Sequence, residues 1–170
     1  MKLLRIGALV AVFGAVIGSA GAFSIDVISV GTVVFGANAV YNENVIFQTT
    51  GTPMPDFTTD TYSIVNNPPP DPGSGLFDDG AGDTMSVTLV LNNVSGNANG
   101  VSGDGIWNYT GGTGAYAGLT GAGTFAFNID TSSSVSNSSF IGDLEPVPEP
   151  ASMIALGLGI AGFVAKRRRR

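Results

Sequence analysis

The alternation of apolar and polar residues with a period of two is the feature that most restricts how residues 23–144 can fold. Residues 85–91 and residues 124–130 follow it most clearly. The apolar positions are Met85, Val87, Leu89 and Leu91 in the first segment, and Phe125, Phe127 and Ile129 in the second. Successive side chains of a strand point to opposite faces, so both segments are predicted to be strands with one buried face. No segment of this region has an apolar 3.6-residue period long enough to predict a helix, so the region is predicted to be all-β.

Three further segments have the composition of strands. Residues 24–35 and 40–49 are rich in β-branched and aromatic residues, and residues 106–110 form a shorter candidate with Trp107 and Tyr109 on one face. Residues 66–75, with four prolines, are predicted instead to be an exposed loop outside the sheet, because proline cannot donate a ladder hydrogen bond. The expected architecture is an antiparallel barrel or sandwich.

A glycine-rich stretch separates the last two clear strands. Its glycines are Gly111, Gly112, Gly114, Gly118, Gly121 and Gly123. Glycine adopts positive φ at no steric cost, so this stretch is predicted to be a sharp joint between two strands. Tyr116 and Leu119 are its large side chains and are expected to plug one end of the barrel or sandwich. Gly114 and Gly118 are expected to be the costliest glycines to replace.

The glycine-rich stretch has two possible interpretations. Residues 112–118 lie one residue off the dinucleotide-binding pattern G-x-G-x-x-G, but no helix pattern follows and no βαβ unit surrounds them. The run G-G-T-G-x-Y-x-G-x-x-G-x-G resembles instead a segment of the allene oxide cyclase and dirigent-like barrel superfamily. That resemblance covers residues 106–127 and implies an eight-stranded antiparallel barrel. No catalytic residue of those families maps onto this chain, so the resemblance implies no activity.

The N-terminus has the composition of a secretory signal peptide. Lys2 and Arg5 form a basic start, residues 6–17 are apolar, and Ala20 and Ala22 provide an A-x-A-like cleavage site. The alternative, a retained membrane helix, is disfavoured because the apolar run is shorter than a membrane span. Residues 1–22 are therefore predicted to be removed by the secretion machinery.

The C-terminus combines a proline motif, an uncharged segment and a basic end. The motif is Val147, Pro148, Glu149 and Pro150, residues 151–165 carry no charge, and the chain ends in Lys166, Arg167, Arg168, Arg169 and Arg170. A fifteen-residue helix is roughly 22 Å long, short of the hydrocarbon core of about 30 Å. It is therefore predicted to be a transient transmembrane helix whose basic end stays in the cytoplasm.

This tail resembles the PEP-CTERM sorting signal of exported bacterial proteins. The resemblance implies processing by an exosortase, passage through the inner membrane as a precursor, and a destination at the cell surface or in the extracellular matrix. An ordinary C-terminal membrane anchor is the alternative. If the signal is processed, the mature protein ends upstream of Ala151.

Charge is segregated along the chain. All seven basic residues lie in the two terminal segments, whereas all thirteen acidic residues lie between Asp26 and Glu149. A domain released from both segments would carry about thirteen negative charges and no cation, which excludes nucleic acid as a partner. Ca²⁺ or another cation would relieve the repulsion.

Few groups could carry chemistry. The chain has no cysteine and no histidine, which removes disulfides, thiol nucleophiles and imidazole ligands. The acidic turns at residues 78–83 and 97–104 could be calcium sites, because carboxylate oxygens are ligands that Ca²⁺ prefers. Neither turn matches an EF-hand, and the simpler interpretation is that both are solvated turns. The spacing of Asp78, Asp79, Asp83 and Asp104 singles out no catalytic pair. The sequence therefore predicts no catalytic residues, no metal site and no cofactor, and the protein is not expected to be an enzyme.

The expected organisation has four parts. A signal peptide (1–22) precedes an all-β domain (23–130), a serine-rich linker (131–146) and the sorting signal (147–170). The PEP-CTERM resemblance implies an exported surface or matrix protein associated with exopolysaccharide, with a structural or interaction role. A small-ligand-binding barrel of the envelope is the alternative, and an enzyme of the cyclase or dirigent type is the third, least favoured one.

Overall fold

Eight strands form a closed antiparallel barrel in the computed structural model, which describes residues 21–50, 54–65 and 71–147. Each strand pairs with its neighbours in sequence, and the last strand closes on the first. The strands are β1 Phe23–Phe35, β2 Asn38–Thr50, β3 Thr59–Val65, β4 Asp71–Asp78, β5 Thr84–Asn97, β6 Gly100–Gly112, β7 Leu119–Asp130 and β8 Val135–Pro146. The all-β prediction is confirmed, and of its two architectures the barrel is the one formed.

The predicted period of two is observed where it was clearest. Residues 85–91 lie in β5 and residues 124–130 in β7. In both, the predicted apolar face is buried: Met85, Val87, Leu89, Leu91, Phe125, Phe127 and Ile129. Full closure leaves no unpaired sheet edge, so every strand of the barrel has a hydrogen-bonded partner on both sides.

Aromatic rings fill much of the barrel interior. Phe140 contacts three of them: Phe77 and Tyr62 edge-on at centroid distances of 4.9 and 5.6 Å, and Phe125 in a stacked arrangement at 5.7 Å. Phe57 extends this cluster towards one end, at 5.1 Å from Phe77. Such offset and edge-to-face contacts add to the stabilisation from burial itself.

Strand β8 corrects the prediction of a linker over residues 131–146. Residues 131–134 form a turn, and the remainder is a strand paired with β1 on one side and β7 on the other. The serine-rich composition obscured this strand. Serine has no strong preference against strands, so it can lie in a sheet when the strands on both sides supply hydrogen bonds. Phe140 and Leu144 anchor the buried face of β8.

Strand β4 corrects the prediction of a loop over residues 66–75. Residues 66–70 lie outside the described part of the chain, but Asp71–Asp78 is a strand, in which Pro72 pairs with Val90. Pro72 is exposed and occupies the second position of the strand, where a missing N–H is tolerated. Farther along, Gly75 packs so closely that an added Cβ would lie 3.0 Å from the Val87 side chain.

The glycine-rich joint lies between β6 and β7, as predicted. It contains a short 3₁₀ turn, Gly114–Tyr116, which begins at Gly114 with a positive φ of 52° and is followed by Gly118 with a positive φ of 69°. Tyr116 is fully buried, stacks on Phe57 at 4.7 Å and donates a hydrogen bond to the Pro55 carbonyl. Tyr116 therefore covers this end of the barrel, with Leu119 buried beside it at the start of β7.

We expect Gly114→Ala to destabilise the barrel more than Gly118→Ala. Both positions have positive φ, so alanine is strained at each by about 1 kcal/mol or more. At Gly114 an added Cβ would also overlap the Asp83 carboxylate, whereas at Gly118 it would meet open space. Urea unfolding of both variants measures the difference. Equal stability of the two variants would show that the Asp83 side chain moves away at no cost.

The chain enters and leaves the barrel at the same end. Phe23, the first residue of β1, is directly paired with Leu144 near the end of β8. Within residues 21–50, 54–65 and 71–147, no helix is long and apolar enough to cross a membrane. The predicted signal and sorting helices lie outside these ranges.

Candidate functional site

A group of buried polar side chains lies inside the barrel, on the inward faces of four adjacent strands. β8 supplies two of them, and β1, β2 and β3 supply one each: Ser136 and Ser138, Ser29, Glu43, and Asp60. All are at most 3 % exposed. We call these five residues the inner polar cluster. Buried carboxylates are rare unless they are paired, so the cluster is the most unusual feature of the interior.

Glu43 reaches across β1 to its hydrogen-bond partner on β8. Gly31 of β1 pairs with Glu43 on one side and with Ser136 on the other. Because Gly31 has no side chain, the row between these two residues is open, and the Ser136 hydroxyl donates a 2.5 Å hydrogen bond to Glu43 Oε1. A Cβ on Gly31 would overlap the Asn42 carbonyl oxygen, so this position requires glycine.

Asp60 lies directly opposite Glu43 in the register between β2 and β3. Directly opposed residues have Cβ atoms about 4.5–5.5 Å apart, so the two carboxyl groups are neighbours. Both oxygens of Asp60 lack a hydrogen-bond partner of ordinary geometry, and so do Glu43 Oε2 and the Ser29 hydroxyl. Four buried oxygens of one cluster are therefore left without a defined donor or acceptor.

Burial raises the pKa of both carboxyl groups. The pKa of Asp60 rises from 3.8 to about 7, first because of desolvation and then because of repulsion from Glu43, with the nearby Ser29 hydroxyl opposing the change. The pKa of Glu43 is also raised by desolvation, against hydrogen bonding from Ser136 and Ser138. Both effects follow from removing charge from water without a compensating cation.

Two tyrosines border the cluster. Tyr41 and Tyr62 are stacked at a centroid distance of 4.1 Å, and the Tyr62 hydroxyl lies 2.5 Å from Ser138 Oγ. Desolvation and the Glu43 carboxyl raise the pKa of both phenols, so they remain neutral hydrogen-bonding groups at physiological pH. The cluster thus contains proton donors and acceptors surrounded by aromatic rings.

The acidic turn at residues 78–83 has a structural role. Asp79 Oδ1 accepts hydrogen bonds from the backbone N–H groups of Ala81, Gly82 and Asp83 at 2.7–3.0 Å. Asp83 Oδ2 accepts one from Ala115 N at 2.9 Å, which ties the turn to the glycine-rich joint. Backbone donors therefore already engage these two carboxylates. In the described ranges there is no group of three or more acidic side chains arranged to hold a metal ion.

Asp104 lies apart from the acidic turn at residues 78–83. Asp78 and its neighbours share the turn between β4 and β5, whereas Asp104 lies on β6 and accepts hydrogen bonds from Asn93 Nδ2. The sequence interpretation missed Glu43 and Asp60. Their positions in the strands could have revealed them. Asp60 lies two and four residues before Tyr62 and Ile64, and Glu43 lies two residues after Tyr41, so each acid is on the same face of its strand as buried apolar residues.

The outer surface carries an open polar groove of about 300 Å³ near the hairpin between β5 and β6. Ser95, Asn97, Ser102 and Asn128 contribute to its lining. Amide and hydroxyl groups of this kind both donate and accept hydrogen bonds. The groove is therefore a surface that polyhydroxylated molecules could contact.

The sorting residues lie at the border of the described part of the chain. Val147 follows β8 directly, and its N–H donates a 2.9 Å hydrogen bond to the Gly118 carbonyl oxygen. The glycine-rich joint therefore holds the point at which the tail leaves the barrel. Ala22 is exposed immediately before β1. The remaining predicted sorting and cleavage residues lie outside the described ranges: Ala20, Pro148, Glu149, Pro150, Lys166, Arg167, Arg168, Arg169 and Arg170.

Comparison with known proteins identifies the tail of the chain. No curated protein and no solved structure matches the chain. The eight-stranded barrel agrees with the architecture implied by the allene oxide cyclase and dirigent-like resemblance, but the comparisons do not support that resemblance. Residues 146–170 match the family described as the PEP-CTERM protein-sorting motif. The chain therefore ends in a PEP-CTERM sorting motif, which implies processing by an exosortase, export, and a place at the cell surface or outside the cell.

Proposed function

We propose that this protein is a non-catalytic β-barrel of the bacterial cell surface or extracellular matrix, with a structural or interaction role among exopolysaccharides. The observation that carries the proposal is the match of residues 146–170 to the sorting motif. In this proposal the chain passes through the secretion machinery, is held in the inner membrane as a precursor, and is released when an exosortase acts on the tail.

The position of the tail on the barrel supports this route. Val147 is hydrogen-bonded to the joint, and the motif continues at Pro148 without a spacer after β8. Since Phe23 pairs with Leu144, the signal-peptide junction and the tail leave from the same end. A precursor would therefore approach the membrane by that end, and the hairpins at the opposite end would face away.

The surface and the interior favour the matrix role over the ligand-binding alternative. The polar groove near Ser95 and Asn128 offers hydrogen bonds of the kind that polysaccharide hydroxyls make. Inside, stacked and edge-on rings from Tyr41, Tyr62 and Phe140 already occupy space that an apolar ligand would need. A small apolar ligand would have to displace these contacts.

We expect the triple substitution of Pro148, Glu149 and Pro150 by alanine to abolish processing. The change removes both prolines and the glutamate that precede the uncharged segment, and with them the restriction that proline places on the backbone of the motif. Intact mass spectrometry and cell fractionation measure the outcome. The wild-type protein should be released without Arg167–Arg170, and the variant should remain full-length in the inner membrane.

Glu145→Ala is a suitable control, because Glu145 is an exposed acidic residue that precedes the match to the sorting motif. This variant should be processed normally. Release of a wild-type protein that retains its terminal arginines would overturn the sorting proposal. Normal processing of the triple variant would overturn the role given to the proline motif.

A further inference from the structure

We propose that the interior of the barrel binds a divalent cation between Glu43 and Asp60, with the Ser29 hydroxyl as an additional ligand. The proposal concerns the inner polar cluster and does not depend on how the tail is processed. It rests on the directly opposed positions of the two carboxyl groups and on their unpartnered oxygens.

The first reason is the number of buried oxygens without partners. Asp60 is 2 % exposed and Glu43 is 3 % exposed, yet three of their four carboxyl oxygens have no hydrogen bond of ordinary geometry. Ser29 Oγ, on β1, is fully buried and also has no hydrogen bond of ordinary geometry. A buried polar group left unsatisfied costs about 1–3 kcal/mol, and a charged group costs more. A cation bound between these oxygens would remove that cost.

The second reason is charge. Two carboxylates side by side carry two negative charges, which one divalent cation neutralises. The chain itself cannot supply this charge from its barrel, since every lysine and arginine lies at residues 2, 5 and 166–170. A cation from solution is therefore the natural partner of two ionised carboxylates at this position.

The third reason is the type of ligand. The cluster offers only oxygen atoms, from carboxyl and hydroxyl groups, and oxygen donors suit hard cations such as Ca²⁺ and Mg²⁺. The Ser136 hydroxyl donates to Glu43 Oε1, whereas Glu43 Oε2 has no hydrogen bond of ordinary geometry. Ser136 thus acts as a positioning residue for Glu43.

The contrast with the acidic turn supports the interior as the site. In the turn, backbone N–H groups engage the carboxylates of Asp79 and Asp83. In the interior, neither oxygen of Asp60 has a hydrogen bond of ordinary geometry. Carboxylate density alone would favour the turn, whereas unmet hydrogen-bonding capacity favours the inner polar cluster.

Isothermal titration calorimetry tests the proposal. The full-length chain is treated with a chelator, kept in detergent, and titrated with CaCl₂ and with MgCl₂ at pH 8 and fixed ionic strength. We expect one bound cation per chain in the wild-type protein. Loss of even an outer-shell partner weakens metal affinity by about 10–100-fold, so the isosteric variants Glu43→Gln and Asp60→Asn should lose at least about 100-fold. Ser29→Ala, which changes no charge, should bind more weakly by a smaller factor.

Two exposed acids provide matched controls. Glu145→Gln and Asp104→Asn make the same chemical changes and the same changes in net charge on the surface, and both should bind as the wild type does. An equal loss of cation affinity in the control and interior variants would show that the cation responds only to the net charge of the protein, and would overturn the proposal. Absence of binding to the folded wild-type chain would also overturn it and leave protons as what neutralises the pair. If one interior variant fails to fold, Ser29→Ala still tests the proposal: weaker binding supports the site, and unchanged affinity overturns it as proposed, because Ser29 is one of its three ligands.

Discussion

In the chelator-treated protein, Asp60→Asn is expected to remove most of the loss of stability that the wild-type barrel undergoes between about pH 4 and pH 8. The pKa of Asp60 is raised from 3.8 to about 7 in the folded state, chiefly by desolvation. A carboxyl group whose pKa is raised by folding stabilises the folded state fully when the pH is below its pKa in the unfolded state. This stability is lost as the pH rises through its pKa in the folded state. The difference of about three pKa units corresponds to about 4 kcal/mol, of which about three fifths is lost above about pH 5.

The groups that face Asp60 act in the same direction or remain neutral. Glu43 lies opposite on β2, and its own pKa is also raised. Tyr41 and Tyr62 have raised pKa values and do not ionise in this range. The exposed carboxylates Asp79 and Asp130 have lowered pKa values, so their contributions are lost only at more acidic pH.

Urea unfolding at a series of pH values from 4 to 8 measures the effect. The wild-type protein and the surface variant Asp104→Asn should lose stability in parallel, and Asp60→Asn should lose far less. A wild-type profile that is flat between pH 5 and 8 would contradict the prediction, because it would mean that Asp60 is already ionised and solvated in the folded state.

The second large effect is expected for Trp107→Ala, which should destabilise the barrel by about 3–5 kcal/mol. Trp107 is 1 % exposed on β6, and its indole lies against Gly123 of β7 and Gly142 of β8. Its Nε1–H donates a 3.2 Å hydrogen bond to the Ile141 carbonyl oxygen. The Trp107 side chain thus contacts β7 and β8 at the two glycines and links them to β6. Truncation to alanine would leave a cavity that the paired strands cannot close.

Ile106→Ala is the matched control for this substitution. Ile106 is the preceding residue on the same strand, points outward and is 42 % exposed. It should cost no more than about 1 kcal/mol, because much of its surface already contacts water. Denaturant unfolding followed by far-UV circular dichroism compares the two variants. Similar losses for both would show that the indole contributes no more than a surface residue.

The two predictions concern opposite properties of one interior. The region around Trp107 is closely packed and satisfied, whereas the region around Glu43 and Asp60 has unmet hydrogen bonds. Proteins tolerate such unsatisfied buried groups at few positions, and those positions are often functional. The cation site proposed between Glu43 and Asp60 gives a physical reason for keeping two acids in an otherwise aromatic interior.

Local patterns in the sequence determined the strands with strong apolar alternation, the glycine-rich joint and the tail. Residues 85–91 and 124–130 could be assigned because alternation of large apolar side chains is a property of a single strand. The joint could be assigned because its backbone conformation depends on glycine at Gly114 and Gly118 themselves. The sorting motif is read as linear sequence, and the comparison confirms it.

Only the tertiary structure decided β4, β8 and the inner polar cluster. The serine-rich β8 and the proline-containing β4 are strands because two neighbouring strands supply their hydrogen bonds, and no local propensity encodes those partners. The cluster joins residues that are distant in the sequence: Ser136 is 93 residues from Glu43, which pairs with Asp60. They meet because closure of the barrel places β8 beside β1, and therefore near β2 and β3. The sequence alone shows acids on apolar faces, but which buried groups they meet depends on pairing between distant strands.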